Sequence, residues 1–462
     1  MLWHLLLEGG KTNRRRCHRH DPLLMNEEVK NPPEILVRRM RDGEEEGVKS
    51  LAGRTFPPLG SVLFSPSPHV LVAEWDGRLV GVVVPETVVL PDKRRGGLML
   101  WLMTDPGTRG FGVGGRLVEA ALQFFEERGC REVFACVEGF NTSSSRLFAT
   151  RGFTILSFGE QLRRYGPLGT LALWLRTHRF GGDVGHFLWA RPGATKSDSP
   201  ALQWWVGTFA SALVFLLVGW RNGLIGGLGA SVLGGIGVVV ALFGLREAVM
   251  RLAARLQGLP VRHRAWEAAF PLSFGIAAAF GVFLPVPGSV YPRGSAWRYR
   301  DLVPKLGPTA LAGASVVLLF AWAAWALLRF GSLPPESAAW LRAAQTAGLS
   351  LAIFEVLFPF SPFASFSGRR VWDWNRPMWG VLAVAAVALF LVELRSLASR
   401  VCRICFGGLI RFVRDPEEGG PALCRKRKSS SPSTGSEEVS GGALERRGRG
   451  YHPRSRHARL RA

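Results

Sequence analysis

Between residues 201 and 398 the chain carries six apolar runs, at about 201–220, 223–245, 266–286, 308–328, 340–363 and 378–398. Each is close to the roughly 20 residues that a helix needs to cross a bilayer. No other feature constrains the fold as strongly, because in hydrocarbon every backbone N–H and C=O must find its partner within the protein. An all-α multi-pass membrane domain of about six helices is expected over residues 201–398. The second run places Gly226, Ala230 and Gly234 on one face, with Gly223, Gly227, Ser231 and Gly235 beside it. Small residues at that spacing let helices approach closely in lipid.

Charge suggests how such a domain sits. The formal net charge is +23, but the excess lies at the two ends of the chain: from Arg400 onward there are 15 Lys and Arg against 6 Asp and Glu. No nucleic-acid-binding motif accompanies it, so nucleic acid is not the expected partner. A basic tail beside a span marks the cytoplasmic side and meets anionic lipid. An even number of spans then leaves both the N-terminal domain and the tail in the cytoplasm, at a cell membrane. The loop at 246–264 is basic as that topology requires, whereas 293–305, which should lie outside, is basic too, so either the third or the fifth run re-enters without crossing or that topology is wrong. Six scattered cysteines form no disulfide framework, which fits a reducing compartment. Residues 1–32 read as a flexible basic leader, 193–200 as a linker, and 399–462 as a disordered basic tail.

Residues 33–192 read as a soluble α+β domain. ILVRRM (35–40) alternates as a strand, and RDGEEEGVKSLAGRTF after it has a capping aspartate, Asp42, and helical apolar spacing. HVLVAEWDGRLVGVVV (69–84) predicts a hairpin around Asp76 and Gly77. GLMLWLMTD (97–105) predicts a buried strand entering a glycine loop, and an amphipathic helix follows up to Gly129. CREVFACVEG (130–139) is another strand, and NTSSSRLFATRGF (141–153) an Asn-capped helix. Further strands are expected around 153–158, 171–176 and 186–190.

A glycine loop that feeds a helix N-terminus can hold phosphate, because bare backbone N–H groups converge there with the positive end of the helix dipole. Arg109-Gly110-Phe111-Gly112-Val113-Gly114, preceded by Asp105-Pro106, resembles the signature of the GNAT acetyltransferase superfamily. About thirty residues on, Asn141, Ser144, Leu147-Phe148 and Gly152-Phe153 match its second pattern. The resemblance implies a mixed, mostly antiparallel sheet with helices on both faces. It also implies acetyl-CoA as co-substrate, held by Met103, Arg109, Gly110, Phe111, Gly112, Val113, Gly114, Asn141 and Phe148. Backbone amides at Leu102 and Met103 would polarise the thioester carbonyl for direct attack by an amine. One departure concerns the acid: Phe148 stands where the family often has tyrosine, so Ser144, Ser145 or water must protonate the thiolate, or it leaves unassisted, or catalysis is lost. Glu74, Glu86 and Glu138 are candidate bases by strand position, a solvated surface carboxylate being the simpler reading of each.

The membrane half is similar to archaeal site-2-type intramembrane metalloproteases through LREAVMRLAARLQGLPVRHRAW (245–266), PVPGSVY (285–291), LAGAS (311–315) and FSGRRVWDWN (366–375). The zinc-binding H-E-x-x-H of that family reads Arg246-Glu247-Ala248-Val249-Met250 here, and its aspartate falls at Ser367. Residues 201–398 hold one histidine, His263, and no cysteine, too few for the three protein ligands of a catalytic zinc. No metal is expected, and the domain reads as a pseudoprotease scaffold. Glu247 and Glu355 stand in or beside apolar runs, for proton or substrate work or for pairing with Arg246 or Arg251. The sequence thus predicts a membrane-tethered N-acetyltransferase acting on an amine of a membrane protein, a peptide or a lipid-derived acceptor. The alternative is a non-catalytic regulator that binds acyl-CoA.

Overall fold

The computed structural model describes residues 34–56, 64, 69–178, 184–194, 197–223, 230–294, 297–360 and 362–414, with side chains except at 230–231 and 396–414. The expected leader at 1–32 and the tail beyond 414 lie outside the described residues.

The N-terminal half is built on β1 (Leu36–Arg39), α1 (Glu45–Thr55), β2 (Leu71–Trp75), β3 (Arg78–Val89) and β4 (Arg95–Thr104). There follow α2 (Val113–Glu127), β5 (Glu132–Glu138), α3 (Thr142–Ala149), β6 (Thr154–Ile155), α4 (Phe158–Thr177) and β7 (His186–Arg191). Asp76 and Gly77, at φ 49° and 72°, form the left-handed two-residue turn whose twist suits a hairpin. The sheet order is β1-β2-β3-β4-β5-β7-β6, antiparallel throughout except between β4 and β5. Alternation along the strands buries both faces: Val72, Val82, Val84 and Met103 meet Val48, Leu51 and Ala52 of α1, while Leu71, Ala73 and Val83 meet Leu117, Val118 and Ala121 of α2.

Two local expectations are corrected. Asp42 does not cap α1, which begins after Glu44 without a side-chain cap. Glu44 instead accepts bonds from Arg38 at 2.6 and 2.8 Å and from the Arg41 N–H at 2.8 Å. Arg38 also pairs with Glu74 across the β1–β2 ladder. The Arg38 guanidinium holds the Glu44 carboxyl down at about 2. That stabilisation is complete above the ordinary carboxylate range and is lost as pH falls through the depressed value. The stability gap between wild type and Glu44→Gln should therefore narrow from about pH 5 to pH 2 in thermal melts of the full chain.

Residues 171–176 are helical rather than a strand. They lie in α4, where Thr170, Leu173, Trp174 and Thr177 share one buried face and Leu173 packs with Phe134 and Leu188. Gly166, at φ 68°, and Pro167 kink this helix and interrupt its pattern.

The second half contains α5 (Pro200–Arg221), α6 (Ala230–Leu256), β8 (Val261–Arg264), α7 (Phe270–Phe280), β9 (Ser289–Pro292), α8 (Tyr299–Phe330), α9 (Pro335–Val356), α10 (Ser367–Trp374) and α11 (Arg376–Arg414). Among the described residues four helices, not six, are long and apolar enough to cross a membrane: 200–221, 232–256, 299–330 and 376–395. The run at 266–286 yields only the 11-residue α7, closed by Gly281 at φ 65°. α9 has the length but carries Glu336, Arg342, Gln345 and Glu355. The region is not all-α either, since β8 and β9 pair as an antiparallel ribbon. α11 continues to Arg414, past the boundary expected at 399.

Small residues do bring these helices together. A Cβ on Gly234 would meet the Trp340 ring of α9 at 2.9 Å, and one on Gly235 would meet Leu216 of α5 at 3.3 Å. Gly226 and Gly227 lie outside the described residues.

Candidate active site

The parallel pairing of β4 with β5 extends only from Gly96–Met99 against Glu132–Ala135. Opposite β3 the register of β4 skips Leu100, a bulge that turns the rest of the strand away. The two strands therefore splay, and a cavity of about 190 Å³ opens between their C-terminal halves.

Backbone direction in this opening follows from a period of two. The Asp105 N–H donates to Val80 O at 2.8 Å, so the amides of Met103 and Trp101 also face β3. Leu102 turns its N–H the other way, toward the cavity that it lines. Of the two amides expected at the thioester, Leu102 has that orientation. Met103 does not, and its side chain is buried among the residues that meet α1.

β4 ends in a short turn at Pro106–Thr108, capped by the Asp105 carboxylate on the Gly107 N–H at 2.9 Å. Gly110 and Gly112 then adopt φ 95° and 87°, which costs a residue with a Cβ but not glycine. Nothing lies within 4 Å of where a Cβ on either would sit. Gly112 caps α2, whose first amides lead out of the loop. A rim of open main chain at a helix start fits a diphosphate, and the exposed Arg109 adds a cation there. Phe111 rests its ring on Trp75 at 5.1 Å. Val113 is buried in the core. Gly114 sits between Thr104 and Leu147, at distances that leave little space for a side chain.

On the other wall, Asn141 caps α3 by accepting the Ser144 N–H at 3.2 Å. Asn141, Ser144 and Phe148 all line the cavity. Phe148 is buried edge-on to Phe153 at 5.2 Å and offers no proton. Glu138 lines the cavity as well, but it is not a solvated carboxylate. Its Oε2 accepts the Phe140 N–H at 3.0 Å, and its Oε1 accepts the hydroxyl of Ser365, from the segment before α10, at 2.7 Å. Neither Glu74 nor Glu86 reaches the cavity.

One group escaped the sequence reading. His186 stands opposite Glu138 in the β5–β7 register, so the two side chains share a face, and both line the cavity. The His186 Nδ1 is buried without a hydrogen-bond partner. No local signal marks it, because strand register is set by long-range pairing.

In the second half, Glu355 pairs with Arg246 at 2.5 Å, while Glu247 accepts from Arg251 at 2.7 Å and meets His263 Nδ1 at 3.0 Å. Among the described residues no three His, Cys, Asp or Glu side chains converge on a metal position.

Residues 36–153 match the model of the Acetyltransferase (GNAT) family. That segment is a GNAT domain, about a quarter of the chain. Over 151 residues the chain is 27% identical to "Putative zinc metalloprotease MJ0611" of Methanocaldococcus jannaschii, covering 32% of this chain and 74% of that protein. Similar solved structures include an N-acetylglutamate synthase from Neisseria gonorrhoeae complexed with coenzyme A and N-acetyl-glutamate (21% identity, 34% of each chain, TM-score 0.26). Another is a Mycobacterium tuberculosis protein solved with CoA (22% identity, 34% of this chain and 97% of that one, TM-score 0.25).

Proposed function

We propose that this protein is a membrane-anchored N-acetyltransferase that moves an acetyl group from acetyl-CoA to an amine by direct attack. The observation that carries the reading is the splayed β4–β5 cleft, with the Leu102 N–H turned into it and the Gly110–Gly112 rim beside the start of α2. The rim amides and Arg109 would hold the coenzyme's diphosphate. The Leu102 N–H would polarise the thioester carbonyl and stabilise the negative charge that gathers on its oxygen. Both Glu138 oxygens already accept bonds, so His186, with its unpartnered nitrogen, is the group to take the proton of the attacking amine. Ser144, which lines the same cavity, would return a proton to the departing thiolate.

Full-length protein in detergent, given acetyl-CoA and a panel of amines, should release free thiol. Acetyl-CoA binding without turnover on any amine would overturn this reading in favour of a regulator, which the aromatic ring at Phe148 favours. His186→Gln should lower kcat by about a hundredfold with little change in the KM for acetyl-CoA. An unchanged kcat would exclude His186 as the base.

A further inference from the structure

A second cavity lies between the N-terminal sheet and the β8–β9 ribbon, on the other side of α3 from the coenzyme cleft. Asn141 and Ser144 line the cleft, whereas Thr142 and Ser145 line this cavity. Its volume is about 80 Å³, room for on the order of five waters and far too little for a nucleotide.

We propose that this cavity binds a small oxyanion, a carboxylate or a phosphate monoester group, through the paired guanidiniums of Arg262 and Arg264. The two residues are two apart on β8 and so project from the same face of the strand. Both line the cavity, and no Asp or Glu does. Neither forms an ion pair among the described residues. The Arg262 Nε is buried with no acceptor, and the charge that acts on that side chain is another cation, Arg293. Arg264 lies over the Phe187 ring at 5.2 Å. The carboxylate closest to its field, Glu267, bonds Gln161 at 3.1 Å instead.

Two like charges with no ion-pair partner in a confined space are costly, and a bound anion removes that cost. Burial, with the neighbouring Arg262, already pulls Arg264 down to about 10. The remaining polar lining supplies donors. Trp189 has a buried indole N–H without an acceptor. The Thr142 hydroxyl oxygen accepts the Tyr299 N–H at 3.1 Å, which leaves its own proton to donate. Guanidinium forks bind carboxylate and phosphate oxygens two at a time, and this donor-rich lining suits such a group. The oxyanion is either part of a soluble molecule, an anionic acetyl acceptor included, or the headgroup of a lipid. The site stands independently of the acetyltransferase reading.

The test is calorimetric titration of the detergent-solubilised full chain with inorganic phosphate and with acetate, at constant ionic strength set by chloride. Saturable binding of at least one anion is expected, weakened at least tenfold in Arg262→Gln and in Arg264→Gln. Arg262 is only partly buried, so its variant should fold, and Arg262→Lys should recover part of the affinity. Absence of saturable binding, or equal affinity in wild type and both variants, would overturn the proposal. Repeating the titration in nanodiscs separates the sources. If discs containing phosphatidic acid abolish phosphate binding and phosphatidylcholine discs do not, the site takes a headgroup; if both leave it intact, it takes a soluble anion. Either result supports the oxyanion site.

Discussion

Gly112→Val should weaken acetyl-CoA binding at least about a hundredfold, or roughly 3 kcal/mol, and abolish transfer at ordinary substrate concentrations. Two effects combine. Gly112 caps α2 at φ 87°, a left-handed conformation that costs a residue with a Cβ about 1–2 kcal/mol. The added isopropyl group would also occupy the open space above the rim, where phosphate oxygens must approach the amides, and each charge-assisted hydrogen bond lost costs about 1.5–3 kcal/mol. Gly43 provides the control, since it has φ 88° and an equally open Cβ position but lies before α1, away from the cleft. Gly43→Val should destabilise the fold to a similar degree and leave acetyl-CoA affinity unchanged. Equal loss of affinity in both variants would show that strain alone is being measured and would remove the rim from the coenzyme site.

Glu355→Gln should be the most destabilising single change in the second half, by about 3–5 kcal/mol. Glu355 and Arg246 are 0% and 1% exposed, and the Glu355 Oε2 also accepts the Ser367 N–H at 3.1 Å. Arg370, 1% exposed, lies within the field of both. Removing the carboxylate leaves the buried Arg246 guanidinium without its ion-pair partner and takes from Arg370 the negative charge that offsets Arg246. The double variant Arg246→Met/Glu355→Gln removes one of those cations and should melt at a higher temperature than Glu355→Gln alone. Thermal denaturation in detergent would check the order. A Glu355→Gln protein as stable as wild type would mean that water or an ion neutralises the cluster.

What the sequence reveals divides by the range of the interactions involved. The glycine loop, the Asn141 cap and the Asp76-Gly77 turn are legible because each is decided by the backbone of a few consecutive residues. LALWLR at 171–176 misleads because its apolar residues suit either a strand or a buried helix, and packing against Phe134 and Leu188 decides between them. Apolar length overstates the spans, since Gly281 stops α7 after three turns. The Glu138–Ser365 bond joins residues 227 positions apart, and the pairing of Glu138 with His186 depends on strand register. Nothing local announces either contact.

The join between the two halves has a practical consequence. Phe140 stacks on Tyr291 at 4.6 Å and lies beneath the Arg370 guanidinium at 4.7 Å. A Cβ on Gly185 would collide with Ser365. Cutting the chain near residue 195 would strip these partners from the edge of the enzyme-like portion and wet its aromatic rings. Such a fragment should be sticky and short-lived in solution, and the intact polypeptide is the proper unit for enzymology.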